Sequence, residues 1–70
     1  MSEATIRKRE GAGYIITITD GESSVIYEGS NISVTPQDTK FEIRFTISVR
    51  TKGIIRIVHK SFVVDAYSYL

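Results

Sequence analysis

Lys40-Phe41-Glu42-Ile43-Arg44-Phe45-Thr46-Ile47-Ser48-Val49-Arg50 alternates apolar and polar residues without a break. Side chains of a strand point to opposite faces with period two, so Phe41, Ile43, Phe45, Ile47 and Val49 share one face. Lys40, Glu42, Arg44, Thr46, Ser48 and Arg50 share the other. A helix would scatter the same apolar residues around its circumference. Thr51-Lys52-Gly53 interrupts the run and a β-branched segment, Ile54 to Val58, follows at once, which is the signature of a β-hairpin.

Two registers compete for that hairpin. A loop of Lys52-Gly53 alone sets apolar Val49 opposite Arg56 and Ile47 opposite Val58. A three-residue loop with Gly53 in the left-handed position pairs Val49 with Ile55 and Ile47 with Ile57, and is the register expected here. Its wet side then carries Ser48 opposite Arg56, Thr46 opposite Val58 and Arg44 opposite Lys60. Two facing cations repel unless an anion relieves them. Continuing this register past Val58 would put His59 and Ser61 on the core side, so a bulge within His59 to Ser61 is expected to return Phe62, Val64 and Ala66 to the core.

Upstream, Tyr14 to Thr19 alternates as well, and Asp20-Gly21 is a hairpin turn signal. A two-residue turn there pairs Ile16 with Val25 and Tyr14 with Tyr27, and leaves Ile15 opposite Ile26 on the other face. Glu28-Gly29-Ser30-Asn31 is a turn by composition, Ile32-Ser33-Val34 a short strand, and Pro36 its end, because proline cannot donate to a ladder. Residues 1–13, with Arg7-Lys8-Arg9 and Gly11-Ala12-Gly13, are expected to form a polar arm, which can add an edge strand, with a short helix from Ser2 through Arg9 as the alternative, and residues 14–70 a single all-β domain. Tyr67-Ser68-Tyr69-Leu70 is apolar enough to pack as a last strand. The whole is an antiparallel sandwich or small barrel of about five to seven short strands built from two hairpins.

With 70 residues and no Cys, the chain has neither a disulfide framework nor a thiolate metal site to supplement a small core. Such chains often rely on a partner subunit. No apolar run is long enough to span a membrane as a helix. Met1-Ser2-Glu3 leads into charges rather than an apolar segment, which points to the cytoplasm or a virion. Thermolabile residues are scarce, with one Asn, one Gln and only the initiator Met, a pattern seen in proteins from hot environments.

Charge is separated along the chain. Residues 10–39 hold Glu10, Asp20, Glu22, Glu28 and Asp38 with no Lys or Arg, whereas residues 40–60 hold Lys40, Arg44, Arg50, Lys52, Arg56 and Lys60 against Glu42 alone. Acidic and basic hairpins of different copies can meet and close a symmetric homo-oligomer or ring. Ile15, Ile26, Tyr27, Tyr67 and Tyr69 are the candidate interface residues. Alternatively, Lys40, Arg44, Arg50, Arg56 and Lys60 bind the phosphates of RNA or single-stranded DNA. The plain alternative is that these cations are only the wet face of a half-buried strand.

No catalytic constellation is legible. Ser61 lies two residues from His59, without an identifiable acid, and His59 is expected to be a partly buried structural histidine. Asp20 and Glu22 flank a turn that needs Asp and Gly for backbone reasons alone. No cofactor, metal or small-molecule substrate is implied.

The last strands, Ile54-Ile55-Arg56-Ile57 through Ala66-Tyr67, resemble the closing strands of the trp RNA-binding attenuation protein family, small all-β chains that form rings. The shared features are a cation between β-branched residues, an apolar pair and Ala66-Tyr67. The tryptophan-pocket pattern is not recognisable, so the resemblance implies an all-β ring-former and carries over no ligand or site residue.

Overall fold

Strict alternation yields strands and nothing else: the computed structural model, which describes all 70 residues, contains no helix. The strands are β1 (Ser2–Lys8), β2 (Tyr14–Asp20), β3 (Ser23–Gln37), β4 (Lys40–Thr51), β5 (Ile54–Val64) and β6 (Ala66–Tyr69). They form one six-stranded sheet in the order β5-β4-β3-β2-β1-β6. All pairs are antiparallel except β6, which runs parallel to β1. Only Asp65 separates β5 from β6, yet these strands stand at opposite extremes of the order. The sheet is therefore curled until its two edges meet at that residue, and the fold is barrel-like.

The curl originates in β3. Ser23 to Gly29 pairs with β2, Ser30 to Gln37 pairs with β4, and the register shifts between Ser30 and Ser33. Asn31 sits there at φ 55, a left-handed conformation that Asn tolerates better than most residues. The polar stretch Glu28-Gly29-Ser30-Asn31 is thus a bulge inside one long strand and not a turn between two short ones. Pro36 does not end the strand; it pairs with Phe41 in a half of β3 that has no neighbour on its other flank, the edge position where a missing N–H costs nothing.

Two hairpin registers differ from expectation, with different consequences. In β2–β3 the turn is Gly21-Glu22, Asp20 pairs with Ser23, and Ile16 lies opposite Tyr27 and Ile18 opposite Val25. Positive φ at Gly21 and not at Glu22 suits a turn with glycine at its first central position. This shift of two keeps every side chain on its face, although Ile15 now opposes Glu28, and Ile26 opposes Thr17. In β4–β5 the loop is the two residues Lys52-Gly53, so Val49 lies opposite Arg56, Ile47 opposite Val58 and Phe45 opposite Lys60. Both loop residues have positive φ, at 51° and 79°, the combination that fits the twist of a hairpin. A slip of one turns all of β5 over. Phe62 and Val64 reach the core by plain alternation, and the bulge expected within His59 to Ser61 is absent from a continuous register.

Residues 1–13 are neither a loose polar arm nor a helix, and the strand they add is not at an edge. Ser2–Lys8 lies between β2 and β6, and its inward side chains Ala4 and Ile6 are 1% and 0% exposed. They join Ile16, Ile18, Ile43, Phe45 and Val64 in the core. Above it Tyr27, Phe45 and Phe62 form an aromatic cluster with ring centroids 5.4 to 6.1 Å apart. Tyr67 closes the other side edge-on to Phe41 at 4.9 Å.

Gly29 lies where the bent strand presses on β4. A Cβ there would sit 2.7 Å from the Thr46 carbonyl oxygen and 3.0 Å from Phe45 Cδ2. Gly29→Ala is expected to cost about 1–3 kcal/mol by overpacking, which lowers the Tm of a domain this size by about 4–8 °C per kcal/mol. An unchanged thermal unfolding curve followed by circular dichroism would show that the bend has slack.

Candidate functional site

Because β5 is turned over, the basic face is divided. Lys40, Arg44 and Arg50 project from the outer side of β4, while Arg56 and Lys60 project from the inner side of β5. The five cations do not form one stripe. Lys60 is half-buried with its Nζ 5.6 Å from the Tyr27 ring centroid, so a cation on an aromatic face stands where the sequence suggested a phosphate ligand. Arg44 does not face Lys60; it lies between Ser33 of β3 and Ser61 of β5.

Lys40 is engaged elsewhere. Its Nζ donates to Asp65 Oδ1 at 2.9 Å. Asp65 Oδ2 accepts from the Ser2 amide at 2.9 Å and the Ser2 hydroxyl at 3.1 Å, and the Asp65 amide donates to the Ser2 carbonyl at 3.0 Å. One carboxylate thereby ties the start of β1 and the start of β4 to the β5–β6 junction. The Ser2 amide above all, then the Lys40 ammonium and the Ser2 hydroxyl, hold the Asp65 carboxyl far below the usual carboxylate range. The same contact raises the Lys40 ammonium, with Asp20 adding a smaller pull.

Around Arg44 the outer face carries a shallow depression of about 400 Å³ lined by Asn31, Ser33, Arg44, Thr46, His59 and Ser61. The β3 bulge supplies its floor: Thr46 Oγ1 donates to the Ser30 carbonyl at 3.3 Å and accepts from Asn31 Nδ2 at 3.1 Å. His59 is exposed on this face opposite Thr46 and is not the partly buried structural residue expected. Ser61 shares its face but donates to Glu42 Oε2 at 2.8 Å. No group of three or more His, Asp, Glu or Cys converges, and no helix is long and apolar enough to cross a membrane.

The proposed interface residues separate too. Ile26 is 67% exposed and Tyr69 57%. Ile15 is half-buried, Tyr27 belongs to the aromatic cluster, and Tyr67 lies against Phe41 and Tyr69. A further uncovered apolar feature was not among them. Ile54, Ile55 and Ile57 are 64%, 57% and 61% exposed at the start of β5, a strand with no neighbour on one side. Its signal was present in Ile54-Ile55-Arg56-Ile57, where both faces of a strand are apolar. The core-facing register assigned to Ile55 and Ile57 concealed it.

The chain has two ion pairs, Lys40 with Asp65 and Arg9 with Glu28 at 3.1 Å. Arg44, Arg50, Lys52 and Arg56 have no carboxylate partner, and Asp20, Glu22 and Asp38 form no ion pair with a cation. The acidic and basic hairpins are not matched within one copy.

The chain matches no protein-family model, no curated protein and no solved structure.

Asp65 gives a pH dependence with a definite sign. Its folded pKa is depressed, so its contribution to stability is fully present above the ordinary carboxylate value of about 4 and is lost as pH falls toward the lower folded value. Asp65→Asn is expected to lower the unfolding midpoint at neutral pH and to flatten the acid limb below about pH 4. Lys40→Ala is expected to do less, because the Ser2 amide is the larger cause and the ammonium is half exposed. Urea midpoints across pH 2 to 7 check both; equal acid limbs for wild type and Asp65→Asn would remove the carboxylate from the account.

Proposed function

We propose that the chain is a non-enzymatic assembly module that self-associates into a symmetric homo-oligomer. The uncovered Ile54, Ile55 and Ile57 on the open edge of β5 carry this reading. An exposed, flat, β-branched edge is a template for another strand, and proteins that remain single blunt such edges. β5 has no proline and no bulge, and its charges are Arg56 and Lys60 alone. The unmatched acidic and basic hairpins add a complementary potential that orients copies and makes association weaken with salt.

A core of seven buried residues supports the same reading, since it leaves little stability in reserve. Light scattering at micromolar concentration is expected to give a mass of at least two chains, larger in low than in high salt. Ile55→Glu, an exposed change that leaves the core untouched, is expected to return the mass to one chain. A single-chain mass for wild type in both salts contradicts the proposal.

A second reading, binding of RNA or single-stranded DNA, is favoured by one observation: Arg44 stands unpaired in a depression lined by hydroxyl and amide groups. Arg50 lies further along the same face. On this reading an oligonucleotide binds with an affinity that falls steeply with salt, and Arg44→Ala weakens binding uniformly across sequences while reducing the salt slope by about 1. Absence of binding in low salt removes it.

A further inference from the structure

Beyond Thr46, β4 has no partner but β5. The last β3–β4 pair is Ser30 with Thr46, after which β3 belongs to β2. Residues 47–58 are therefore a two-stranded ribbon, and the molecule is elongated, 40 × 23 × 23 Å. A lone ribbon of two strands is marginal in water, and a third strand is what secures it.

We infer that the third strand is β5 of a second copy, antiparallel to β5 with Ile57 on the two-fold axis. This rests on the assembly reading and specifies the contact made by its isoleucine edge; the acidic and basic hairpins do not meet across that contact, so added salt is not expected to dissociate it. Other open edges exist in the sheet, and they are poorer templates. β4 past Thr46 offers five residues, 47–51. β6 offers four residues. The second half of β3 carries a bulge and Pro36. β5 offers eleven residues in unbroken register. In a ladder closed by a two-residue turn the flanking pair, Thr51 with Ile54, is hydrogen-bonded. The N–H and C=O groups of Ile55, Ile57 and His59 then point away from β4, toward the open side.

Charge selects the register. With Ile57 on the axis, Ile57 meets the partner's Ile57, Ile55 meets the partner's His59, Arg56 meets the partner's Val58 and Ile54 meets the partner's Lys60. Moving the axis to Arg56 sets two arginines face to face, and moving it to Val58 sets Arg56 opposite the partner's Lys60. Like charges directly opposed are unfavourable. Moving it to His59 opposes two imidazoles, exchanges the contact between isoleucines for Ile57 against the partner's Ser61, and extends the pairing to Val64. There the strand turns through Asp65, which is tied to Ser2. The Ile57 register alone covers the exposed isoleucines without opposing cations. Because the contact is isologous, it closes at two copies and does not propagate.

The chain has no cysteine, so engineered thiols report without background. Arg56 and the partner's Val58 form a non-hydrogen-bonded pair, the closer kind and the one whose Cβ separation suits a disulfide. Arg56→Cys chains mixed with Val58→Cys chains under mild oxidation are expected to give a covalent dimer that neither variant gives alone. Ile57→Pro removes an N–H that β4 does not use, so it is expected to halve the mass with an unchanged circular dichroism spectrum. A covalent dimer from Arg56→Cys alone overturns the register. A wild-type oligomer whose mass survives Ile57→Pro, and whose thiols do not cross-link, overturns pairing through β5 while leaving self-association standing. A wild-type mass of one chain overturns both.

Discussion

Register in the β4–β5 hairpin decides what this protein presents to its surroundings, and two residues set it. Lys52 and Gly53 both adopt positive φ, so the loop closes in two residues and its twist matches that of the strands. For Lys52 the left-handed conformation is a local cost of about 1–2 kcal/mol. The packing downstream offsets it: this register sends Phe62 and Val64 inward without a bulge, and there Phe62 meets Tyr27 and Phe45 and Val64 is 1% exposed. The same choice sends Ile55 and Ile57 outward. Core and open edge are therefore consequences of one turn.

Much of the fold could be read from alternation, because a period of two is a local property. Five of the six strands follow from runs such as Tyr14 to Thr19 or Phe41 to Val49, or from the apolar tail Tyr67-Ser68-Tyr69. Pairing was harder, since it depends on loop length, which composition leaves open between two and three residues. The β2–β3 hairpin forgave a misread turn because its shift was even, and the inward set Tyr14, Ile16 and Ile18 kept its face. The β4–β5 hairpin did not, because its shift was odd. Arg56 and Lys60 moved to the inner side and His59 to the outer, which dissolved the expected basic stripe.

Two further features were hidden by composition. Glu28-Gly29-Ser30-Asn31 has the residues of a turn, yet the chain needs them for a bulge. Gly29 admits the Thr46 carbonyl at a distance no side chain would allow, and Asn31 tolerates the positive φ that bends β3 from one partner to the next. Ser2 to Lys8 looks polar because four of its residues are Ser, Glu, Arg and Lys. Its inward positions are Ala4 and Ile6, and a strand needs only alternate residues to be apolar. What no local pattern could disclose is the Asp65 knot, whose partners Ser2 and Lys40 are 63 and 25 residues away in sequence.

That knot and the ribbon mark the two ends of the molecule, and they differ in how their edges are treated. At the closed end strand termini are tied, Ser2 to Asp65 and Asp65 to Lys40, and β6 runs from there along β1 to Leu70, whose amide donates to the Ile6 carbonyl at 2.8 Å. At the other end the ribbon of residues 47–58 runs out from the core, against which Ile47 still packs, with Ile54 exposed on the inner face and Ile55 and Ile57 on the outer. A ribbon built to stay in water would alternate, with polar residues outside and apolar ones inside. This one is apolar on both sides of a single strand, and that strand is the one without a neighbour. An added strand is one way to cover both faces of such a surface, since it brings side chains to each face together with main-chain hydrogen bonds along the edge.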